Sequence, residues 1–286
     1  MAPPNYSPQQ NENESLGLSN IAQFDGNDSI VSESESLVLS QQQRRKFKPD
    51  KIVSAQYLPV VATYNCRSIF PKLGNMKKDI FERNIQAAFC CEIWEKKENK
   101  QHQFEIENLL ESEGLKYIST PRSTGWGGAA IIVNQEQFSL EKLNIHIPHN
   151  LEIIWGIMKP KDVKAIYKRI IVCSFYSPPN SRKNVKMSDH IVTTLHLLST
   201  QYPNSPIILG ADSNDMNISP IINCGLKMKQ IVDKPTRNNK ILDIIITNVP
   251  EMYQSPIIVP PVPCDDPSAG VPSDHSVPVC VPHTDR

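Results

Sequence analysis

The stretch Pro206-Ile207-Ile208-Leu209-Gly210-Ala211-Asp212-Ser213-Asn214 decides how the chain is read. The apolar run between Pro206 and Gly210 suits a strand buried on both faces, which in an α/β protein reads as continuous hydrophobicity instead of alternation. Asp212 and Asn214, two residues apart, then project from one side at its end. Ligands gather at such ends in open α/β sheets, because there the backbone leaves the core and aims side chains at solvent. Gly, Asp, Ser and Asn are also the usual turn formers, so the stretch taken alone is better described as a turn. The flanking segments separate the two readings.

Upstream, residues 185–202 carry Ile191, Leu195 and Leu198 along one helical face and lead into this strand. Before them, residues 129–133, 140–147, 153–158 and 169–176 are rich in β-branched and aromatic residues, with no helical pattern between them. Part of the sheet must therefore be antiparallel. Nearer the N-terminus, residues 59–65 read as a strand and residues 72–84 as a helix, with Leu73, Met76, Ile80 and Phe81 at helical spacing. Residues 85–92 read as a second strand. A helix over residues 101–112, stopped by Gly114, precedes a strand at 115–119. Downstream, residues 241–247 and 277–281 are the last apolar runs, and Pro278 assigns the second to an edge strand or a strand start. Helices, mixed strands and hairpins together predict two sheets packed face to face with helices outside, in one domain over residues 58–282.

Residues 1–50 are rich in Asn, Gln, Ser and Glu and predict a disordered polar tail, ending in the basic cluster Arg44-Arg45-Lys46-Phe47-Lys48 as a linker. The chain balances 30 basic against 30 acidic residues, so charge carries no nucleic-acid signature. Its seven cysteines lack the paired spacing of zinc sites or disulfide frameworks and read as reduced and buried. No apolar stretch is long enough to span a bilayer, and no signal-peptide pattern opens the chain. A soluble intracellular protein without membrane contact is expected.

Polar residues recur where apolar runs stop, at Asn65, Glu92, Asp212 with Asn214, Asp243 and Asp274-His275. Singly, each has a structural explanation as a cap or a solvated end. Asp243, beside Leu242 and Ile244-Ile245-Ile246, needs a partner if buried, and His275 is the natural one. A carboxylate on one imidazole nitrogen fixes the tautomer and leaves the other nitrogen for substrate. Oxygen donors without clustered cysteine or histidine suit magnesium or manganese and hence phosphate esters. Tyr176, at another strand end before Ser177-Pro178-Pro179-Asn180, adds a hydroxyl donor.

Taken in order, Tyr64-Asn65-Cys66-Arg67-Ser68, Cys91-Glu92-Ile93-Trp94, Phe175-Tyr176-Ser177-Pro178-Pro179-Asn180, Gly210-Ala211-Asp212-Ser213-Asn214, Leu242-Asp243-Ile244-Ile245-Ile246-Thr247-Asn248 and Ser273-Asp274-His275 resemble the exonuclease-endonuclease-phosphatase superfamily. Pro235-Thr236-Arg237 and Ser181 after Asn180 make the pattern most similar to the apurinic-type endonuclease domain of non-LTR (LINE-like) retrotransposons. The resemblance implies a four-layer α/β sandwich of two mixed β-sheets flanked by helices. It implies Glu92 as principal Mg ligand, with Asn65 and Asp274 close to the metal or its water network. Asp212 would activate the attacking water, Asn214 and Tyr176 would hold the phosphate and leaving oxygen, and His275, oriented by Asp243, would contact the scissile phosphate. The implied partner is DNA, cut by a monomer in the nucleus to leave a 3′-hydroxyl that primes reverse transcription.

Two features depart from that pattern. Ser213 stands where the family usually has an aromatic, and the Pro-rich segment over residues 253–272 carries Asp265-Asp266, expected to be a solvated acidic loop. Family members are usually fused to a reverse transcriptase, which this sequence lacks, so a truncated element or a gene-model fragment is expected. Other readings are a phosphodiesterase or phosphatase of a small or lipid phosphate, and an inactive remnant that binds nucleic acid or a protein.

Overall fold

The structure, a computed structural model, describes residues 57–122, 126–179, 182–268 and 270–283. The chain divides into units Met1–Lys48 and Pro49–Arg286, and the described residues all belong to the second. The tail expected over residues 1–50 lies outside them. Along the chain run β1 (Val61–Asn65), a 3-10 turn (Phe70–Lys72), α1 (Leu73–Glu82), β2 (Ala87–Cys91), α2 (Lys100–Glu111), β3 (Leu115–Thr120), β4 (Ala129–Asn134), β5 (Phe138–Lys142), β6 (Glu152–Pro160) and β7 (Ile170–Tyr176). There follow α3 (Asn184–Gln201), β8 (Ile207–Asp212), α4 (Ser219–Ile222), β9 (Lys229–Gln230), β10 (Asp243–Thr247), a 3-10 turn (Pro250–Met252), β11 (Ile257–Val259) and β12 (Val277–Cys280).

The strands form two six-stranded sheets, ordered β11-β12-β1-β2-β4-β3 and β5-β6-β7-β8-β10-β9. Each sheet holds one parallel pair, β1 with β2 across α1 and β7 with β8 across α3, with antiparallel strands on either side. That is the architecture the helix-bridged and hairpin patterns require, because only a crossover can join parallel neighbours.

Period-two alternation sorts the strand residues into separate cores. Ala62, Tyr64, Ala88, Cys90, Ala130 and Ile132 face outward onto Leu73, Met76 and Ile80 of α1 and Ile106 and Leu110 of α2. Ile171, Cys173, Phe175, Leu209 and Ala211 face outward onto Met187, Ile191, Leu195 and Leu198 of α3. Between the sheets lie Val61, Ala87, Phe89, Ile131, Ile154, Val172, Ile208 and Ile245. Helix, sheet, sheet and helix make four layers.

At Gly210 the facing sheet leaves no room for a side chain, and a Cβ there would stand 2.2 Å from Phe89 Cδ2. The glycine that bounds the apolar run in sequence is therefore an inward position inside β8, required by the ring opposite.

Several expectations need correction. The run over residues 140–147 forms β5 only as far as Lys142, after starting at Phe138. Residues 241–242 are not in β10, which starts at Asp243; the Leu242 and Asp243 amides both donate to Thr236 Oγ1, each at 3.1 Å, at the entrance to the strand. Of the two places expected for Pro278 the strand start holds, as it is the second residue of β12, and the edge does not, for β11, three residues that sequence patterning did not reveal, covers the strand. Pro278 is paired with Ile258 of β11, while on its other side the described register with β1 begins one residue later, at Val279. Nor is Asp265 merely solvated. Its carboxylate accepts from Gly74 N at 2.8 Å and Asn75 N at 2.7 Å, capping an α1 whose own N-cap residue, Lys72, supplies no side-chain bond.

All seven cysteines are free, and all but Cys224 are buried. Among the described residues no helix is long and apolar enough to cross a membrane.

Candidate active site

The inward register does not stop being inward where the apolar core ends. In β8, Ile208 and Gly210 face the other sheet and Asp212 follows them; in β10, Ile245 is preceded by Asp243; in β7, Val172 and Ser174 are followed by Tyr176; in β6, Ile154 is preceded by Glu152. Strand pairing puts these four side by side, Glu152 opposite Tyr176, Tyr176 opposite Asp212 and Asp212 opposite Asp243. From the other sheet, β1 ends at the inward Asn65, paired with Cys91, and Glu92 follows β2 directly. One end of the layer between the sheets is thus lined with carboxylates, an amide and a phenol, where its middle is apolar.

Hydrogen bonds join the two sheets at this end. Asn65 Nδ2 donates to Glu92 Oε1 at 3.0 Å and to Asp212 Oδ2 at 2.8 Å. An amide between two carboxylates must present its donor to both, which sends Oδ1 the other way. That Oδ1 is buried and has no hydrogen-bond partner among the described residues. Below, the Cys91 thiol donates to the Phe175 carbonyl and accepts from Asp212 N, both at 3.1 Å.

His275 Nδ1 lies 2.8 Å from Asp243 Oδ2, both residues being buried. Asp212, Asp243 and His275 offer ligand-type atoms within 4.8 Å of one another. The Nδ1 to Oδ2 distance is nonetheless that of a hydrogen bond, too short to admit a cation between those two atoms. A pair of this kind orients an imidazole.

Burial pushes the Asp212 carboxyl up to about 7, with the Asp243 charge adding to it and His275 and Asn65 opposing. For His275 burial acts downward, but the hydrogen bond and charge of Asp243, with Asp212 behind, outweigh it and raise the imidazole. Tyr176 is raised well above the ordinary phenol, first by burial, then by the charges of Glu92 and Asp212 and a hydrogen bond to Glu92, so it stays a proton donor. Glu152 is pushed up to about 7 by burial, against the Gly128 amide and Arg122, which hold its charge.

Backbone strain gathers at the same edge. Glu92 (φ 52), Trp94 (φ 54), Asn214 (φ 44), Arg67 (φ 40) and Ser68 (φ 78) all lie in the left-handed region, which costs a non-glycine residue of order 1 kcal/mol or more. Lys72 secures part of this loop, its buried ammonium donating to the carbonyls of Arg67, Ser68 and Val271 at 3.1, 3.3 and 2.8 Å.

Of the residues singled out in sequence, Asn65, Glu92, Tyr176, Asp212, Asp243 and His275 converge. Asn214 stands at the rim, where its N–H donates to Asp212 Oδ1 at 3.2 Å and its Nδ2 to the Ser177 carbonyl at 2.9 Å. β8 has already ended, so the two side chains do not share one strand face. Ser213 is buried and its Oγ donates to the Leu242 carbonyl at 3.1 Å, fastening the exit of β8 to the start of β10. Asp274 stays outside the group. Its carboxylate, 46% exposed, takes Arg67 Nη1 at 3.4 Å and Arg237 Nη2 at 2.6 Å, and Arg237 outweighs burial to hold it below the usual carboxylate range.

Glu152 is not among the residues that the sequence singles out, because the apolar run that marks β6 begins one residue later, at Ile153. Extending the alternation of Ile154 and Gly156 backward would have marked position 152 as inward. Arg122, which pairs with Glu152 Oε1 at 3.0 Å, carried no signal at all.

No protein-family model matches the sequence, and no curated protein sequence matches it. Solved structures with the same fold include the human Nocturnin catalytic domain with bound sulfate (TM-score 0.57, 14% identity, covering 78% of this chain and 93% of that one). Another is the endonuclease domain of TRAS1, a telomere-specific non-LTR retrotransposon (TM-score 0.54, 13% identity, 80% of this chain and 100% of that one). An AP endonuclease from Archaeoglobus fulgidus is similar to the same degree (TM-score 0.53, 15% identity, 79% and 99%). These likenesses establish the α/β sandwich of endonucleases, exonucleases and phosphatases as the fold.

Proposed function

We propose that the protein is a divalent-cation-dependent phosphodiesterase that nicks DNA, as the endonuclease of a retrotransposon-derived protein. The observation that carries this reading is the Asn65 amide, which ties Glu92 to Asp212 across the two sheets while its own buried Oδ1 is left without a partner. A buried acceptor left unmade is costly unless something fills it. An amide oxygen beside the Glu92 carboxylate is a hard-oxygen pair of the kind that suits magnesium or manganese. Glu92 and Asn65 would hold such a cation, which when bound would neutralise phosphate charge.

The remaining chemistry belongs to the chain. Asp212, held partly protonated near neutral pH, is tuned to take a proton from an attacking water. Asp243 keeps the proton of His275 on Nδ1, so that the other ring nitrogen can donate to a phosphate oxygen. Tyr176, protonated at any ordinary pH, supplies a second donor. The likeness to the TRAS1 endonuclease domain supports DNA as the substrate. The reading includes a nuclear site of action and a 3′-hydroxyl product. The protein would act as a monomer.

Supercoiled plasmid incubated with Mg should become nicked by the parent protein and not by Glu92→Ala or His275→Ala. The nicks should prime a DNA polymerase without end repair. Equal nicking by all three proteins would remove the assignment, and hydrolysis of small phosphate esters that plasmid does not inhibit would turn it toward a phosphatase.

A further inference from the structure

A lone exposed aromatic on a protein surface needs no explanation. Trp126 is 64% exposed, but its surroundings are not those of a chance surface residue. Its carbonyl accepts from Arg122 Nη1 at 3.0 Å, and the same atom of Arg122 is paired with the buried Glu152. Gly127 and Gly128, which follow, sit at φ +87 and +89, and a Cβ on Gly127 would stand 2.1 Å from Glu152 Oε2. The Gly127 carbonyl accepts from Trp94 N at 2.9 Å, and Gly128 N donates to Glu152 Oε2 at 2.5 Å. A backbone fixed at this many points carries an indole that is mostly in water.

That indole meets Trp94 edge to face, with ring centroids 4.5 Å apart and planes at 76°. Trp94 in turn donates from Nε1 to Glu92 Oε2 at 3.2 Å. The pair therefore stands one hydrogen bond from the carboxylate assigned to the cation. Edge-to-face contact uses the face of only one ring, and exposed, immobilised indole is the surface on which an unpaired base stacks. A base-free deoxyribose-phosphate strand has no aromatic ring to stack there.

Resting on the reading of the site as a DNA-cleaving one, we propose that Trp126, propped by Trp94, is a stacking platform for an unpaired nucleobase next to the scissile phosphate. Trp126 is then a specificity residue, which makes the enzyme prefer strands with accessible bases to bare phosphodiesters.

The test compares a short single-stranded oligodeoxynucleotide with a base-free deoxyribose-phosphate strand of equal length, bound to the full chain under chelator so that nothing is cut. Stacking should quench tryptophan fluorescence, and Trp155 is buried and will not report. The strand with bases should quench and bind about tenfold tighter or more than the base-free strand. Trp126→Ala should abolish that preference and leave base-free binding unchanged, whereas Trp126→Phe, which keeps a ring, should retain most of it. Equal affinity for the two strands, no binding of either, or an undiminished preference in Trp126→Ala overturns the proposal. Plasmid nicking by the parent protein separates the two claims, since nicking without base preference defeats only the platform, and absence of nicking defeats the DNA-cleaving assignment itself.

Discussion

The middle and the end of the layer between the sheets are built from the same strands in the same register and differ only in what faces inward. In the middle, Gly210 lies under Phe89 with no room for a methyl group. Two residues further along β8 the inward position is Asp212, and Asn65 reaches it from the opposite sheet. The middle gains its stability from close packing. The end gives stability up, since it buries carboxylates against one another, and the raised Asp212 and Glu152 carboxyls record that cost. Such a contrast within one strand makes the end of the layer the candidate for a functional site.

The largest effects should come from breaking the polar end. Asp212→Asn should lower nicking by about 10² to 10⁴-fold, the span expected for loss of a general base. Its unfolding temperature at pH 8 without metal should be unchanged or higher, because a buried charge is gone. A parallel loss of stability would mean that Asp212 holds the sheets together and does not serve catalysis.

Breaking the apolar middle should do the reverse. Gly210→Ala forces a methyl group onto Phe89 Cδ2, Cγ and Cβ, the atoms closest to that residue's backbone, so ring rotation gives little relief. Urea titration should show a loss of roughly 1–3 kcal/mol.

The pH dependence sharpens the comparison. Unfolded carboxyls titrate near about 4, while folded Glu152 and Asp212 hold their protons to about 7. The folded state binds more protons between these values, so their stabilisation is present below about pH 4 and is lost as pH rises through 7. His275, also raised, acts in the same direction, its contribution present below about pH 6.5 and lost above its folded value. Melting of the metal-free protein should therefore fall from pH 5 to pH 8, and Glu152→Gln should flatten the curve. A flat parent curve would show that burial at this end is not taxing the fold.

The smallest expected effect lies away from both regions. Asp265→Ala removes the carboxylate that caps α1, and should cost about 0.5–2 kcal/mol without changing nicking of plasmid.

Much of this was legible from the residues. The apolar runs around Ile208, Val172 and Phe89 announced buried strands, and polar residues at their ends announced a site. Asp243 and His275 could be paired in advance, because a carboxylate flanked by isoleucines has few ways of being satisfied. Glu152 was hidden by a strand boundary one residue off, and boundaries are what periodicity defines least well. Asp265 read as a loop charge because its partners, the Gly74 and Asn75 amides, are about 190 residues away.

What the sequence determined by itself is local in origin, namely which segments become strands or helices, which faces of them are apolar, and where each apolar run gives way to a side chain able to bind or to move a proton. Tertiary structure alone decided which of those side chains meet. Asn65 and Asp212 are 147 residues apart, and nothing in either segment says that one amide will bridge two sheets or that Arg67 and Arg237 will draw Asp274 aside. Burial, hydrogen-bond partnership and the pKa shifts that follow are relations between distant stretches of chain, and they come into being only when the two inner faces close on one another.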